Sequence, residues 1–124
     1  MLKKYFIPYD RALKLKELGF DEECLGFYWV LENYTSYLIE FKIDKIYKLN
    51  NLNVNAPLFC QVFDWFREKY DLHIEPRRTL DERNWYYFYI NLDKGTENTK
   101  GSFLYEEAQL ACLDKLIEIC SSVS

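Results

Sequence analysis

The stretch from Asn55 to Tyr70 constrains the fold most, because it predicts a helix in the middle of the chain. Its apolar side chains recur at the spacing of one helical face; they are Phe59, Val62, Phe63, Phe66 and Tyr70, with Trp65 beside them. Asn55 is a suitable N-cap, and Pro57 suits the first turn of a helix. We therefore expect a helix that begins at Ala56 and Pro57 and ends near Tyr70.

Two further helices are predicted near the ends of the chain. The segment from Tyr9 to Leu18 is rich in helix formers and is followed by a glycine. With Gly19 as the left-handed C′ residue, Phe20 and Leu15 take the positions that make the hydrophobic contact of a Schellman motif. The last helix is expected from Tyr105 to Cys120, where the apolar arc is wide enough for deep packing.

The segment from Leu25 to Ile43 predicts a hairpin of two strands with a turn around Glu32 to Thr35. Period-two alternation gives each strand an inward face: Leu25, Phe27, Trp29 and Leu31 in the first, and Tyr37, Ile39, Phe41 and Ile43 in the second. The opposite face carries Tyr28, Val30 and Leu38, and we expect it to be partly exposed. A polar connection follows, from Asp44 to Asn55.

A second hairpin is predicted after the middle helix. Its first strand is a short one from His73 to Arg78, interrupted at Pro76, and its second is a strong one from Asn84 to Leu92. A long turn from Asp93 to Gly101 then leads to a short returning strand at Ser102 to Leu104. Because side chains alternate along a strand, one set of side chains in the strong strand faces the helices and the other set faces away. The inward set is Tyr86, Phe88, Ile90 and Leu92, and the outward set is Trp85, Tyr87 and Tyr89.

The element order is therefore α-β-β-α-β-β-(β)-α, which predicts the α+β class. Hairpins favour antiparallel pairing. We expect residues 1–124 to form a single two-layer domain, with an antiparallel sheet of two hairpins and helices mainly on one face. A chain of 124 residues buries enough surface for a core without disulfide or metal.

The aromatic content predicts an interaction surface. Eleven Tyr, nine Phe and three Trp are more than a core of this size can easily bury. The candidate interaction face is Trp85, Tyr87 and Tyr89, continued by Tyr28, Val30 and Leu38 if the two hairpins lie in one sheet. Three interpretations of this face are open: it binds a second copy of the chain or another protein, it stacks nucleic-acid bases, or a loop or helix covers it within the monomer. We prefer protein binding over base stacking.

Charge weighs against nucleic acid as the main partner. The net charge is −4 and the pI is near 5.1, the wrong overall sign for neutralising phosphates. Arg77, Arg78 and Arg83 flank Trp85, and basic groups beside aromatic rings are typical of single-strand binding. Because Glu75 and Asp81 dilute that field, we prefer to interpret these arginines as salt-bridged loop residues.

No catalytic, cofactor or metal site is predicted. Cys24, Cys60, Cys112 and Cys120 show no CxxC spacing, and His73 is the only histidine. Two disulfides would allow three pairings, but no signal peptide or membrane segment indicates export, so we expect free thiols in a cytoplasmic protein. Cys60 and His73 would lie roughly 20 Å apart along a helix, too far for a catalytic pair. The chain offers no Gly-rich phosphate loop and no evident small-molecule substrate.

Three runs carry a resemblance to a known group: LGFDEEC at Leu18–Cys24, APLFCQVFDWFREKY at Ala56–Tyr70 and YEEAQLACLDKLIEI at Tyr105–Ile119. They resemble small proteins of uncharacterised function carried by phages, prophages and other mobile elements of Bacteroidetes. The resemblance implies a bacterial cytoplasmic setting and a mobile-element origin, and it supplies no active site. Residues and resemblance together predict a small non-enzymatic interaction protein, with a nucleic-acid-binding module as the alternative.

Overall fold

The computed structural model describes residues 5–30, 36–40, 54–92 and 95–121, and at residues 29, 30, 36–40 and 55 it describes the backbone alone. In chain order the elements are α1 (Tyr9–Glu17), β1 (Gly26–Val30), β2 (Ser36–Glu40), β3 (Val54–Ala56), α2 (Phe59–Tyr70), β4 (His73–Arg78), β5 (Tyr86–Leu92), β6 (Gly95–Asn98) and α3 (Tyr105–Ser121). None of the helices in these ranges has the length and apolar character needed to cross a bilayer.

The strands confirm the α+β class and the antiparallel pairing. β1 pairs with β2 and β4 pairs with β5, as predicted for the two hairpins. Each hairpin has a third antiparallel strand, giving separate sheets in the orders β2-β1-β3 and β4-β5-β6; a third strand was predicted for the second hairpin and not for the first. The chain divides into two compact units, Met1–Gln61 and Val62–Ser124. The single two-layer domain stays a prediction.

In the first unit, the end of α1 confirms the predicted Schellman motif. The Phe20 N–H donates to the Leu15 carbonyl at 3.0 Å, and the Gly19 N–H donates to the Lys16 carbonyl at 3.1 Å. Gly19 has φ of 97°, a conformation that favours glycine. Leu15 and Phe20 are both buried, so the hydrophobic contact of the motif closes the helix on the core side.

β1 departs from simple alternation. Phe27 is buried as predicted, but Leu25 is 62% exposed and Tyr28 only 5% exposed. Tyr28 is buried because the first residue of α1 and the segment before the helix contact it: its hydroxyl donates to the Ile7 carbonyl at 2.6 Å, and its ring meets Tyr9 edge-on at 5.3 Å between centroids. The predicted inward side chains from Trp29 to Ile43 and the turn between the strands lie outside the described side chains.

The start of α2 lies later than predicted. Asn55 and Ala56 belong to β3, where they pair with Phe27 and Gly26 of β1, and the helix begins at Phe59. Pro57 accepts a hydrogen bond from the Ile7 N–H at 2.8 Å instead of forming the first turn. Pairing with β1, which is distant in the sequence, therefore makes a strand of residues that local signals predict to be a helix start.

In the second unit, the apolar stripes of the helices are buried as predicted. Val62, Trp65 and Phe66 of α2 are buried, and the Phe63 ring lies 5.4 Å from the Phe88 ring of β5. α3 packs against β5; its buried residues are Ala108, Cys112, Leu113, Leu116, Ile117 and Cys120. The core of this unit lies between these helices and one face of the sheet.

The returning strand lies earlier than predicted. β6 covers Gly95–Asn98, whereas Ser102 makes one isolated bridge to Tyr86. Thr99 pairs with Phe88 and Ser102 with Tyr86, so Lys100 and Gly101 together lie opposite the single residue Tyr87. This extra residue is a bulge, which ends regular pairing and leaves Phe103 and Leu104 exposed.

Candidate functional site

The aromatic row, defined as Trp85, Tyr87 and Tyr89, lies on the outward face of the second unit's sheet. Phe88 and Ile90 of the same strand are buried against the core, whereas all three members of the row are half-buried. Alternation along β5 produces this difference, since successive side chains point to opposite faces. The structure therefore brings together these three predicted residues on one side of the sheet.

β4 supplies the partners of one end of the row. The Arg77 guanidinium lies 3.9 Å from the centre of the Tyr89 ring, and the His73 ring meets Tyr89 edge-on at 6.2 Å. Glu75 joins both basic groups: its carboxylate is 2.9 Å from His73 Nε2 and 2.5 Å from the Arg77 guanidinium. Hydrogen bonds from His73 and Arg77 lower the pKa of Glu75, so the carboxylate stays charged beside the rings.

A hydrogen-bonded turn fixes the other end of the row. The Asp81 carboxylate accepts from the Thr79 hydroxyl at 2.9 Å and from the Arg83 backbone N–H at 3.0 Å. It also pairs with the Arg83 guanidinium at 2.7 Å, and this contact is the main reason that the pKa of Asp81 falls to about 2. The Trp85 N–H donates to the Thr79 hydroxyl oxygen at 2.9 Å, which closes the turn.

Trp85 itself is held on two sides. The Arg83 guanidinium lies 4.9 Å from the centre of its ring, a cation–π distance. A Cβ atom added at Gly101 would lie 3.4 Å from Trp85 Cε3, so the glycine lets the backbone approach the indole closely. Arginine and backbone together restrict the orientation of the indole.

Arg78 does not belong with the other two arginines. It follows Arg77 in β4 and therefore projects to the opposite face, where its guanidinium lies 4.8 Å from the Tyr86 ring centre. Tyr105 packs edge-on against that same ring at 5.3 Å. Strand alternation thus places Arg78 on the opposite face from the other two arginines of the predicted basic cluster. Arg77 and Arg83 form the predicted salt bridges, with Glu75 and Asp81.

The predicted continuation of the face through Tyr28, Val30 and Leu38 depended on a single sheet. Tyr28 lies in the other sheet and is buried, with its hydroxyl bonded to the backbone, so its inclusion was wrong. Burial raises the pKa of its hydroxyl, as does the nearby Asp10 carboxylate. The side chains of Val30 and Leu38 lie outside the described residues.

Three of the four cysteines have thiols whose pKa is raised by burial. All four are free thiols. Burial raises the pKa of Cys24 and Cys112 to about 12 and that of Cys120 to about 11, so these three are protonated at neutral pH. Cys60 is exposed in the first turn of α2. Within the described ranges, no cluster of three or more His, Cys, Asp or Glu side chains is arranged to hold a metal ion.

A groove that was not predicted lies beside β6. It measures about 520 Å³ and is lined by Glu97, Asn98, Thr99, Lys100, Ala111, Asp114, Lys115 and Glu118. The four α3 residues recur at i, i+3, i+4 and i+7, which marks one helical face. That spacing was a usable signal, but the strand opposite the face was predicted in the wrong place.

The aromatic row thus presents three rings on paired backbone, and guanidinium groups lie against two of them, Trp85 and Tyr89. Such rings can stack on, or pack against, another molecule with little loss of side-chain entropy. The chain matches no protein-family model, no curated protein and no solved structure.

Proposed function

We propose that this chain is a non-enzymatic interaction protein that binds another protein, or a second copy of itself, through the aromatic row. The observation that carries the proposal is that Trp85, Tyr87 and Tyr89 are half-exposed on one strand while arginines stack on two of them. Tyr, Trp and Arg are the residues most enriched at the centres of protein interfaces. The row therefore has the composition of an interface core.

Rigidity supports the same proposal. The turn that holds Trp85 is closed by the Asp81 carboxylate and the Thr79 hydroxyl, and Tyr89 lies beside an ion pair between Glu75 and Arg77. Binding orders side chains at a cost of about 0.5–1.5 kcal/mol for each flexible one. Rings that are already oriented avoid much of that cost.

The ion pairs favour a protein partner over nucleic acid. Arg77 is paired with Glu75, and Arg83 with Asp81, so a phosphate would have to compete with a carboxylate at each arginine. The net charge of −4 adds long-range repulsion toward a polyanion. Base stacking on the row, with the arginines as cation–π partners, is the alternative function.

The resemblance to mobile-element proteins of Bacteroidetes suggests the setting of this proposal. It supports an accessory role in the bacterial cytoplasm and says nothing about the partner. The aromatic row is the part of the proposal that rests on contacts in the structure.

The test compares the wild type with a Trp85→Ala, Tyr87→Ala double variant. Phe103→Ala is the matched control, because Phe103 is a large aromatic residue that is 73% exposed and lies outside the row. Light scattering measures self-association, and affinity capture from a bacterial lysate is followed by analysis of the eluate for protein and nucleic acid. We expect a dimer or a captured protein that the double variant loses and the control keeps.

Two results would contradict the proposal. One is a monomeric wild type that captures the same proteins as the double variant. The other is a captured component that is nucleic acid and disappears with the double variant, which would establish the alternative function.

A further inference from the structure

The sheet of the second unit has two outer strands, β4 and β6, and their free edges differ. In an antiparallel pair, alternate residues direct N–H and C=O toward the neighbouring strand, and those between them direct these groups away. The Thr79 N–H donates to the Trp85 carbonyl, and the Thr99 N–H donates to the Phe88 carbonyl. These two bonds fix which residues of β4 and β6 face outward.

The outer edge of β4 is blocked. By the register with β5, the outward residues of β4 are Ile74, Pro76 and Arg78. The Ile74 carbonyl already accepts from the Arg67 guanidinium, at 2.7 Å from Nη2 and 3.3 Å from Nε. Pro76 has no N–H to donate. An added strand on this side would therefore lose two successive backbone contacts.

The outer edge of β6 is open. Its register with β5 turns Glu97 inward and leaves Thr96 and Asn98 outward. Both outward residues are exposed, and within the described residues no hydrogen bond joins their outward backbone groups to a partner. Each offers one N–H and one C=O at the spacing of a sheet ladder.

The groove described above runs beside this open edge. Asn98 lines it from the strand, and one face of α3 lines it from the other side. Lys115 of α3 joins the two walls, since its ammonium lies 3.1 Å from the Glu97 carboxylate and 3.5 Å from Glu118. Ala111 is the smallest side chain on the helical wall and leaves room for an incoming side chain.

We propose that this groove binds an extended peptide segment of another protein, which adds a fourth strand to the sheet along β6. Strand addition to an exposed edge, with side chains entering an adjacent groove, is an established mode of peptide recognition. The segment from Thr96 to Lys100 matches about five residues of an extended peptide, or roughly 17 Å. This site is separate from the aromatic row and does not depend on it.

Charge in the groove specifies the peptide. Three carboxylates, on Glu97, Asp114 and Glu118, line it against two ammonium groups, on Lys100 and Lys115. Lys115 is already paired with two of the carboxylates. Taken as a whole, the lining carries one net negative charge, so the bound peptide carries a Lys or Arg side chain that enters the groove.

The test selects peptides from a phage-displayed library of random decapeptides on the immobilised full chain. Enriched peptides are then synthesised and titrated by fluorescence anisotropy. Asn98→Pro removes the outward N–H and leaves the inward ladder intact, reproducing on β6 what Pro76 does on β4. Asn98→Ala is the matched control because it keeps the N–H. Ala111→Trp fills the groove from the helix and tests the site without altering the strand.

We expect enriched peptides to contain a basic residue and to bind Asn98→Pro and Ala111→Trp at least tenfold more weakly than Asn98→Ala. The Trp85→Ala, Tyr87→Ala double variant keeps full peptide affinity, which separates this site from the aromatic row. Hydrogen exchange shows slower exchange of the Thr96 and Asn98 amides in the wild type with peptide bound.

The proposal is overturned if selection yields no enriched peptide, or if the peptides bind Asn98→Pro and Ala111→Trp as tightly as Asn98→Ala. Peptides without Lys or Arg would overturn the charge assignment. Slow exchange of the Thr96 and Asn98 amides without peptide also contradicts it, because the edge would then be covered by the chain itself or by a second copy.

Discussion

At the scale of single residues, Asp81 stabilises the turn before the aromatic row. Its carboxylate accepts hydrogen bonds from Thr79 and from both the backbone and the side chain of Arg83. These donors favour the charged form, so the pKa in the folded protein falls to about 2 from an ordinary 3.8. The contribution of Asp81 to stability is therefore complete above about pH 3.8 and is lost as the pH falls toward 2.

We expect the Asp81 carboxyl carbon to titrate near pH 2 in an NMR experiment on the wild type. In Arg83→Ala the midpoint should rise toward 3.8, because the first and largest cause of the shift is gone. Glu82 is exposed in the same turn, and Glu82→Gln serves as the control that leaves the Asp81 midpoint in place. A wild-type midpoint near 3.8 would show that the turn is open in solution.

Phe63 tests the buried face of α2. It is 5% exposed, and its ring contacts Phe88 at the centre of the sheet. Truncation to alanine leaves a cavity, so Phe63→Ala should lower the free energy of unfolding by about 3–5 kcal/mol in urea. Phe103→Ala, at an exposed position, should change it by less than about 0.5 kcal/mol. A loss below about 1 kcal/mol for Phe63→Ala would place the helix on the wrong face.

At the scale of elements, the end of α1 depends on one backbone conformation. Gly19 has φ of 97°, and both hydrogen bonds of the Schellman motif pass through the turn it makes. An alanine there adds a Cβ to a left-handed residue, which costs about 1–2 kcal/mol. We expect Gly19→Ala to lower the unfolding free energy by that amount, whereas Lys16→Ala, exposed in the same turn, should change it by less than about 0.5 kcal/mol. Equal effects of the two changes would contradict the motif.

Elements specified by neighbouring residues could be predicted from the sequence. The stop at Gly19, the stripes of α2 and α3 and the alternation of β5 are local patterns. The structure has them where they were predicted, except that Tyr86 and Leu92 of the predicted inward set of β5 are only half-buried. β3 could not be predicted, because Val54–Ala56 becomes a strand only through pairing with β1. A cap-like asparagine followed by Ala and Pro gives the signal of a helix start, and no local pattern contradicts it.

The same distinction applies to the candidate site. The outward direction of Tyr87 and Tyr89 follows from period two, and the ion pairs of Arg77 and Arg83 were anticipated from the acidic residues nearby. The burial of Tyr28 was not, since it depends on the Ile7 carbonyl, 21 residues away. The open edge of β6 could not be found either, because its position depends on the bulge before Ser102.

At the scale of the whole molecule, charge separates the two candidate functions. The chain carries net charge −4, and the guanidinium groups at the aromatic row are neutralised by carboxylates. We expect the protein to pass through a heparin column at pH 7 in 50 mM salt and to bind an anion exchanger under the same conditions. Retention on heparin above 200 mM salt would contradict this prediction and favour nucleic-acid binding. The Arg83→Ala variant should behave as the wild type does.

The blocked edge of β4 also limits how copies of the second unit can assemble. A filament that grows by strand pairing needs two usable edges on every copy, because each copy must join one neighbour on either side. Arg67 and Pro76 block one edge of this sheet, so β6 is the edge among its described strands that can accept another strand. When two copies of this sheet pair through their β6 edges, each copy is left with its blocked β4 edge. Strand pairing of this sheet therefore stops at two copies and does not extend into a fibre.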